Sequence, residues 1–206
     1  MNIHHTAIVS PLARMGWDVT IGPFAIVHAG VSLGNNVTIR AHAVVGSPAE
    51  KHGYFKAEGH GVDIGDDTII SEFVTIHSGT EQKTRIGKRC VVLAHAHVGH
   101  DAQVGDDCTV SCGALIGGHS IVGAGVNLSL GCILHQFSRI GSWAMVGMGA
   151  VVPKNQRIMP GRIYVGAPAR SLKDNTIGLK RMNVTDLQLT EAQMDYIDAT
   201  PGWKHK

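Results

Sequence analysis

IGKRCV VLAHAH VGHDAQ VGDDCT VSCGAL IGGHSI, Ile86 to Ile121, is a run of six hexads, each opening on a branched apolar residue. The same step continues through Val122, Leu128, Leu134, Ile140, Val146 and Val152. Upstream it reads Ile3, Val9, Met15, Ile21, Val27, Leu33, Ile39 and Val45, and after a break Ile64, Ile70 and Ile76. Four residues beyond the first seven stand small or branched residues: Ala7, Ala13, Val19, Ala25, Val31, Val37 and Ala43. Neither a helical period of 3.6 nor an alternation of 2 generates this rule. It implies short flat strands separated by turns and wound into a parallel β-helix. Each strand sends one large side chain inward, and the small residue fills a corner. The glycines after the apolar position, as in Ile21-Gly22, Leu33-Gly34, Ile64-Gly65, Ile86-Gly87, Val104-Gly105, Ile116-Gly117 and Ile140-Gly141, are expected to serve turns that need permissive backbone.

Composition agrees. In 206 residues there are 26 glycines and only 5% aromatics, which suits tight turns and a core of small branched side chains. A formal charge of +2 gives no reason to expect nucleic acid or a membrane surface. No apolar run approaches the roughly 20 residues of a membrane span. The opening MNIHHTAIVS lacks the regions of a signal peptide, so a cytoplasmic location is expected. The cysteines Cys90, Cys108, Cys112 and Cys132 show no CxxC spacing, and disulfides are not expected. Cys90, Cys108 and Cys132 fall on the small corner step and read as packing residues.

The repeat resembles the hexapeptide-repeat family from about Ile3 to Pro168. The resemblance implies an all-β fold, a left-handed, three-sided prism with three hexads to the coil, and a homotrimer with active sites in the clefts between prisms. Residues 1–168 are then the β-helix, with an inserted loop at 46–62, and residues 169–206 a short, partly helical extension. A helix is expected near Thr190 to Ala199, with Thr190 and Gln193 as a capping box.

With three hexads to the coil, neighbouring coils lie about 4.8 Å apart. The hexads opening at Ile76, Val98, Ile116 and Leu134 then form one column, which gathers His77, His100, His119 and His135 on one side. Two interruptions leave from the same column. Gly46 to Val62 is read as replacing the third hexad of its coil, and a shorter excursion runs through Glu81, Gln82 and Lys83. Loops on a rigid repeat scaffold commonly carry its chemistry. Asp101, beside His100, can orient the imidazole and raise its basicity. His97 is read as supporting the site and His95 as structural, while His4, His5, His28, His42, His60 and His205 are read as solvated turn residues.

The motifs T-I-H-S-G-T (Thr75 to Thr80), A-H-V-G-H-D (Ala96 to Asp101), G-G-H (Gly117 to His119), H-Q-F (His135 to Phe137) and N-T-I-G-L-K-R (Asn175 to Arg181) add a narrower likeness. In order and spacing they are similar to the UDP-N-acetylglucosamine O-acyltransferases of lipid A biosynthesis. The resemblance implies His100 as general base, Asp101 as its orienting carboxylate and the Gly118 N–H as oxyanion donor. It implies substrate contacts from His77, His97, His119, His135, Gln136 and Arg181. The donor would be a thioester on acyl carrier protein or coenzyme A, and the acceptor a nucleotide sugar; no metal and no cofactor is required. Three departures stand out. Ser78 replaces an arginine, His52 stands about where that family has a sugar-contacting aspartate although F-K-A-E (Phe55 to Glu58) is kept, and the C-terminal extension is short. V-G-A-P-A-R (Val165 to Arg170) is closer to coenzyme A-dependent acetyltransferases. Two rival readings share the prism: a gamma-class carbonic anhydrase-like zinc lyase using His77, His95 and His100, and an inactive binding trimer.

Overall fold

The computed structural model describes residues 1–54 and 59–198. The chain is a left-handed parallel β-helix of about nine turns, closed by two short helices. Its three faces are sheets of ten, eight and eight strands. In the first face Val110 pairs with Leu128 and Leu128 with Val146; in the second Val98 pairs with Ile116 and Ile116 with Leu134; in the third Val104 pairs with Val122. The inward side chains of one face therefore stack into a continuous column. Ile21, Ile39, Ile70, Ile76, Ile116, Leu128 and Leu134 are fully buried, each worth roughly 1.5–3 kcal/mol against exposure to water. Cys90, Cys108 and Cys132 are buried free thiols, as the corner step requires.

The inserted segment does not replace a face. Ser47 ends a strand of the second face, and Val62–Ile64 restores the third face in the same coil, between Val31–Leu33 and Thr84–Ile86. Ile64 keeps its inward place, so the loop is spliced between two strands.

The glycines after the inward position serve a different purpose from the one expected. None of Gly22, Gly34, Gly65, Gly87, Gly105, Gly117 and Gly141 has a positive φ. A Cβ on Gly87 would instead lie 2.5 Å from the Gly105 carbonyl carbon in the next coil. These glycines permit close approach between coils. The left-handed conformation occurs three residues after the inward position: Phe24, His42, Phe73, His95, Asp101, His119 and Phe137 all have φ between 56° and 63°.

Past the prism, Arg170–Asp174 folds back antiparallel on Arg162–Val165. Helix α1 (Thr176–Arg181) follows, its first turn capped by Asn175. Helix α2 spans Asp186–Asp198 and begins earlier than expected. Its capping box is Thr185 with Gln188: the Thr185 N–H donates to Gln188 Oε1 at 2.9 Å and the Gln188 N–H to Thr185 Oγ1 at 3.2 Å. Thr190 and Gln193 lie inside the helix, where the Gln193 amide donates to the Pro160 carbonyl. No helix among the described residues is long and apolar enough to cross a membrane.

Candidate active site

The strand His97–Val98 leaves the second face through Gly99, His100 and Asp101. Asp101 has φ 62°, a left-handed turn that aspartate tolerates better than most residues. The turn brings its carboxylate against the preceding ring, with His100 Nδ1 2.7 Å from Asp101 Oδ2. A carboxylate only accepts, so in the neutral ring Nδ1 carries the hydrogen and Nε2 the lone pair.

Asp101 is fully buried. The short excursion wraps it with donors: the Thr80 N–H at 3.0 and 2.9 Å, Thr80 Oγ1 at 2.9 Å, the Glu81 N–H at 2.8 Å and the Gln82 N–H at 2.9 Å. Burial pushes the carboxyl pKa up, but the hydrogen bonds from His100, Gln82, Glu81 and Thr80 outweigh it and hold the group well below the usual carboxylate range. These backbone donors are the part of the site that residue types alone do not reveal, although the excursion itself is visible as a break in the period.

One coil on, Gly118 faces the open side of the His100 ring. A Cβ there would lie 2.8 Å from His100 Nε2, so only glycine leaves space beside that nitrogen. The Gly118 carbonyl accepts from the Phe137 N–H at 3.1 Å, whereas among the described residues none accepts from the Gly118 N–H. His119 has φ 58° and is buried. Its ring meets His100 edge-on at 4.9 Å and stacks on Phe137 at 4.7 Å, and its Nε2 is 3.7 Å from Asp101 Oδ2. Burial, ahead of the opposing pull of Asp101, lowers the His119 pKa.

One coil back, His77 Nδ1 lies 2.7 Å from the Pro48 carbonyl. His97, on the coil of His100, places Nδ1 2.9 Å from Thr75 Oγ1, and burial lowers its pKa. The carboxylate that the inserted segment turns toward both rings is Glu50, two residues before His52. His28 also belongs to this neighbourhood and is not a simply solvated residue: it is half-buried, with its pKa lowered by burial and then by His77. His135 and Gln136 form the exposed upper rim, above the coil of Gly117 and Gly118. The F-K-A-E stretch, Ala199 and His205 lie outside the described residues.

Arg181 is the one predicted site residue that the chain does not bring to this column. It ends α1 and lines a cavity of about 290 Å³ with Asn127, Met145 and Ile163 of the first face and with Asn175. The histidines occupy the edge between the second and third faces, so the two sites stand on different edges of one prism. His95 is also remote from the site. Its ring stacks on Phe73 at 5.0 Å, in a ladder that continues through His42 to Phe24. That accounts for His42 as well, which is packed on both faces of its ring. Among the described residues the His, Cys, Asp and Glu groups close enough to share an ion are Glu50, His77, His97 and, separately, His100, Asp101, His119. Within the single chain His77, His95 and His100, the set named for a zinc lyase, do not form such a group among the described residues.

Known proteins resemble this chain in sequence and in fold. The family described as bacterial transferase hexapeptide (six repeats) matches residues 13–47 and 83–118. An acyl-[acyl-carrier-protein]–UDP-N-acetylglucosamine O-acyltransferase of Saccharophagus degradans is 38% identical over 120 residues, covering 48% of this chain and 46% of that protein. The alignment thus spans somewhat less than half of this curated relative. A solved UDP-N-acetylglucosamine acyltransferase from Bacteroides fragilis superposes with a TM-score of 0.80 at 28% identity, over 98% of this chain and 86% of that one. The resemblance is to the hexapeptide-repeat UDP-N-acetylglucosamine O-acyltransferases. A second acyltransferase of this kind, from Francisella novicida, superposes with a TM-score of 0.73 at 27% identity over 94% and 78% of the two chains.

Proposed function

We propose that the chain is an acyltransferase that moves an acyl group from a thioester, on acyl carrier protein or coenzyme A, to a hydroxyl or amine of a nucleotide sugar of the UDP-N-acetylglucosamine kind. The observation that carries this reading is the His100 ring, tied at Nδ1 to a buried carboxylate and open at Nε2 toward a glycine without side chain. His100 Nε2 takes the proton from the acceptor as its oxygen or nitrogen attacks the thioester carbonyl. Asp101 holds the ring and stabilises the imidazolium so formed. The Gly118 N–H donates to the oxyanion of the tetrahedral intermediate. Collapse breaks the carbon–sulfur bond, and the proton on His100 passes to the leaving thiolate. The chemistry asks for positioning and a base, and for no covalent enzyme intermediate.

His77, His97, His119, His135 and Gln136 supply contacts to the acceptor and the acyl group along the column. Arg181 stands on another edge of the prism, so in this reading it reaches the substrate at the His100 of a neighbouring copy, within a homotrimer. The four free thiols fit a reducing, cytoplasmic setting.

The test is mass spectrometry of sugar nucleotides incubated with the protein and thioester donors. UDP-N-acetylglucosamine and amino-sugar nucleotides are paired with acetyl and longer acyl groups on coenzyme A and acyl carrier protein. The expected result is an acyl mass gain for one pair, lost in His100→Ala. No gain with any pair, or a gain that His100→Ala retains, overturns the proposal.

A further inference from the structure

The inserted segment returns over the second face with Glu50 between two histidines of successive coils. Glu50 Oε1 is 3.5 Å from His77 Nε2, and Glu50 Oε2 is 3.4 Å from His97 Nε2. One donor atom from each of the three residues lies within 4.8 Å of the others. These distances are long for charge-assisted hydrogen bonds, which run at about 2.7–2.9 Å. Each nitrogen, measured to its own carboxylate oxygen, instead stands at the spacing of two donors on one ion. An ion held tetrahedrally at about 2.0–2.1 Å sets neighbouring donor atoms roughly 3.3–3.5 Å apart.

The second nitrogens are already engaged. The Pro48 carbonyl, 2.7 Å from His77 Nδ1, can only accept, so Nδ1 carries the hydrogen and Nε2 presents its lone pair. His97 Nδ1 lies 2.9 Å from the Thr75 hydroxyl, and with that hydroxyl accepting, Nε2 presents its lone pair toward Glu50. An imidazole whose other nitrogen is fixed by a carbonyl or hydroxyl is the usual support behind a metal-bound histidine. The His77 side chain is 11% and the His97 side chain 22% exposed, while that of Glu50 is 60% exposed, so the three donors form a cup open to solvent on the carboxylate side.

We propose that Glu50, His77 and His97 form a binding site for a zinc-class divalent cation. Two imidazoles and a carboxylate suit that ion over magnesium or calcium, which favour all-oxygen shells. The fourth position faces outward, where water or a substrate oxygen completes the tetrahedron. The ion fastens the inserted segment to two successive coils, one of which also carries the His100–Asp101 pair. The site shares His77 and His97 with the substrate contacts of the acyl-transfer proposal, but it leaves out the His100–Asp101 pair and is tested without any activity measurement.

The test starts from protein freed of metal by a chelator. It is titrated with ZnCl2 by calorimetry and with CoCl2, following the visible absorption of tetrahedrally bound Co²⁺. The expected result is one ion per chain, with affinity reduced at least tenfold in Glu50→Gln and in His97→Ala and unchanged in His100→Ala. Glu50→Gln alters only an exposed side chain, and urea midpoints matching that of the metal-free parent show that both variants fold. No stoichiometric ion, affinity indifferent to Glu50→Gln and His97→Ala, or affinity lost in His100→Ala would each overturn the assignment.

Discussion

Asp101 takes the Nδ1 hydrogen of His100 at 2.7 Å on a carboxylate that also accepts the N–H groups of Thr80, Glu81 and Gln82. One buried charge therefore orients the base and shapes the excursion beside it. Asp101→Asn keeps the size but removes the charge and turns an NH2 toward groups that are themselves donors. Breaking a buried charged network from one side costs about 3–5 kcal/mol. Denaturant unfolding is expected to show a loss of that order, and turnover to fall by roughly 10²–10⁴ as the base loses its orientation. Stability equal to that of the parent would mean that the excursion is held by something other than this carboxylate.

Two glycine substitutions separate site from scaffold. Gly118 has no positive φ, so alanine fits its backbone, but the added methyl would stand 2.8 Å from His100 Nε2. Gly118→Ala keeps the N–H but crowds the His100 ring, and is expected to lower kcat/KM by roughly 10²–10⁴ as the base is displaced. Gly113 is the converse: φ is +67° and nothing lies within 4 Å of the place a Cβ would take. Gly113→Ala is expected to cost about 1 kcal/mol for the left-handed backbone and to leave kcat/KM unchanged. Initial rates and urea unfolding on both variants decide it.

The period of six makes the fold legible because every inward position, from Ile21 to Ile158, obeys one packing rule that repeats without reference to distant residues. The column of His77, His100, His119 and His135 follows from the same arithmetic. What the arithmetic cannot supply is three-dimensional return. Glu50 reaches His77 and His97 only because the inserted segment folds back, and no spacing encodes that. Arg181 shares a motif order with the histidines but sits on another edge, since order along a solenoid says nothing of which face an extension leaves from. The glycine rule is plain in the sequence but its cause is not, because a tight turn and a close coil-to-coil approach both exclude a side chain. The start of the last helix is ambiguous for a similar reason: Thr185 with Gln188 and Thr190 with Gln193 have the same capping spacing, and the earlier pair takes the role.

Stability should depend on pH through His119 and Asp101 in the same direction, in two windows. Burial depresses the His119 pKa below the unfolded value of about 6.5. Between those two values the unfolded chain binds more protons, so stability rises with pH there and is full above about 6.5. The Asp101 pKa is also depressed by folding, so its contribution is present above the unfolded value of about 3.9 and is lost as pH falls further. Urea midpoints measured from about pH 3 to 8 are expected to rise with pH in both windows. His119→Phe is expected to flatten the upper one, and a slope unchanged by that substitution would assign it to His97 or His28, whose pKa values burial also lowers.

Gly87 tests the contact between coils directly. Its φ is not positive, so if glycine were needed there only for turn flexibility, alanine would be nearly neutral. The close-approach account differs. A Cβ on Gly87 would lie 2.5 Å from the Gly105 carbonyl carbon and 2.6 Å from the Asp106 nitrogen, both backbone atoms that cannot swing aside. The strand pair Thr84–Ile86 and Gln103–Val104 would have to part, and with it the Lys88 N–H bond to Asp106 Oδ1 at 2.9 Å. Forcing extra atoms into a packed site costs about 1–3 kcal/mol or more, which for a chain of this size lowers the melting temperature by roughly 2–4 °C per kcal/mol. Gly87→Ala is therefore expected to melt several degrees below the parent in a thermal scan. An unchanged melting temperature would return these glycines to the role of flexible turns.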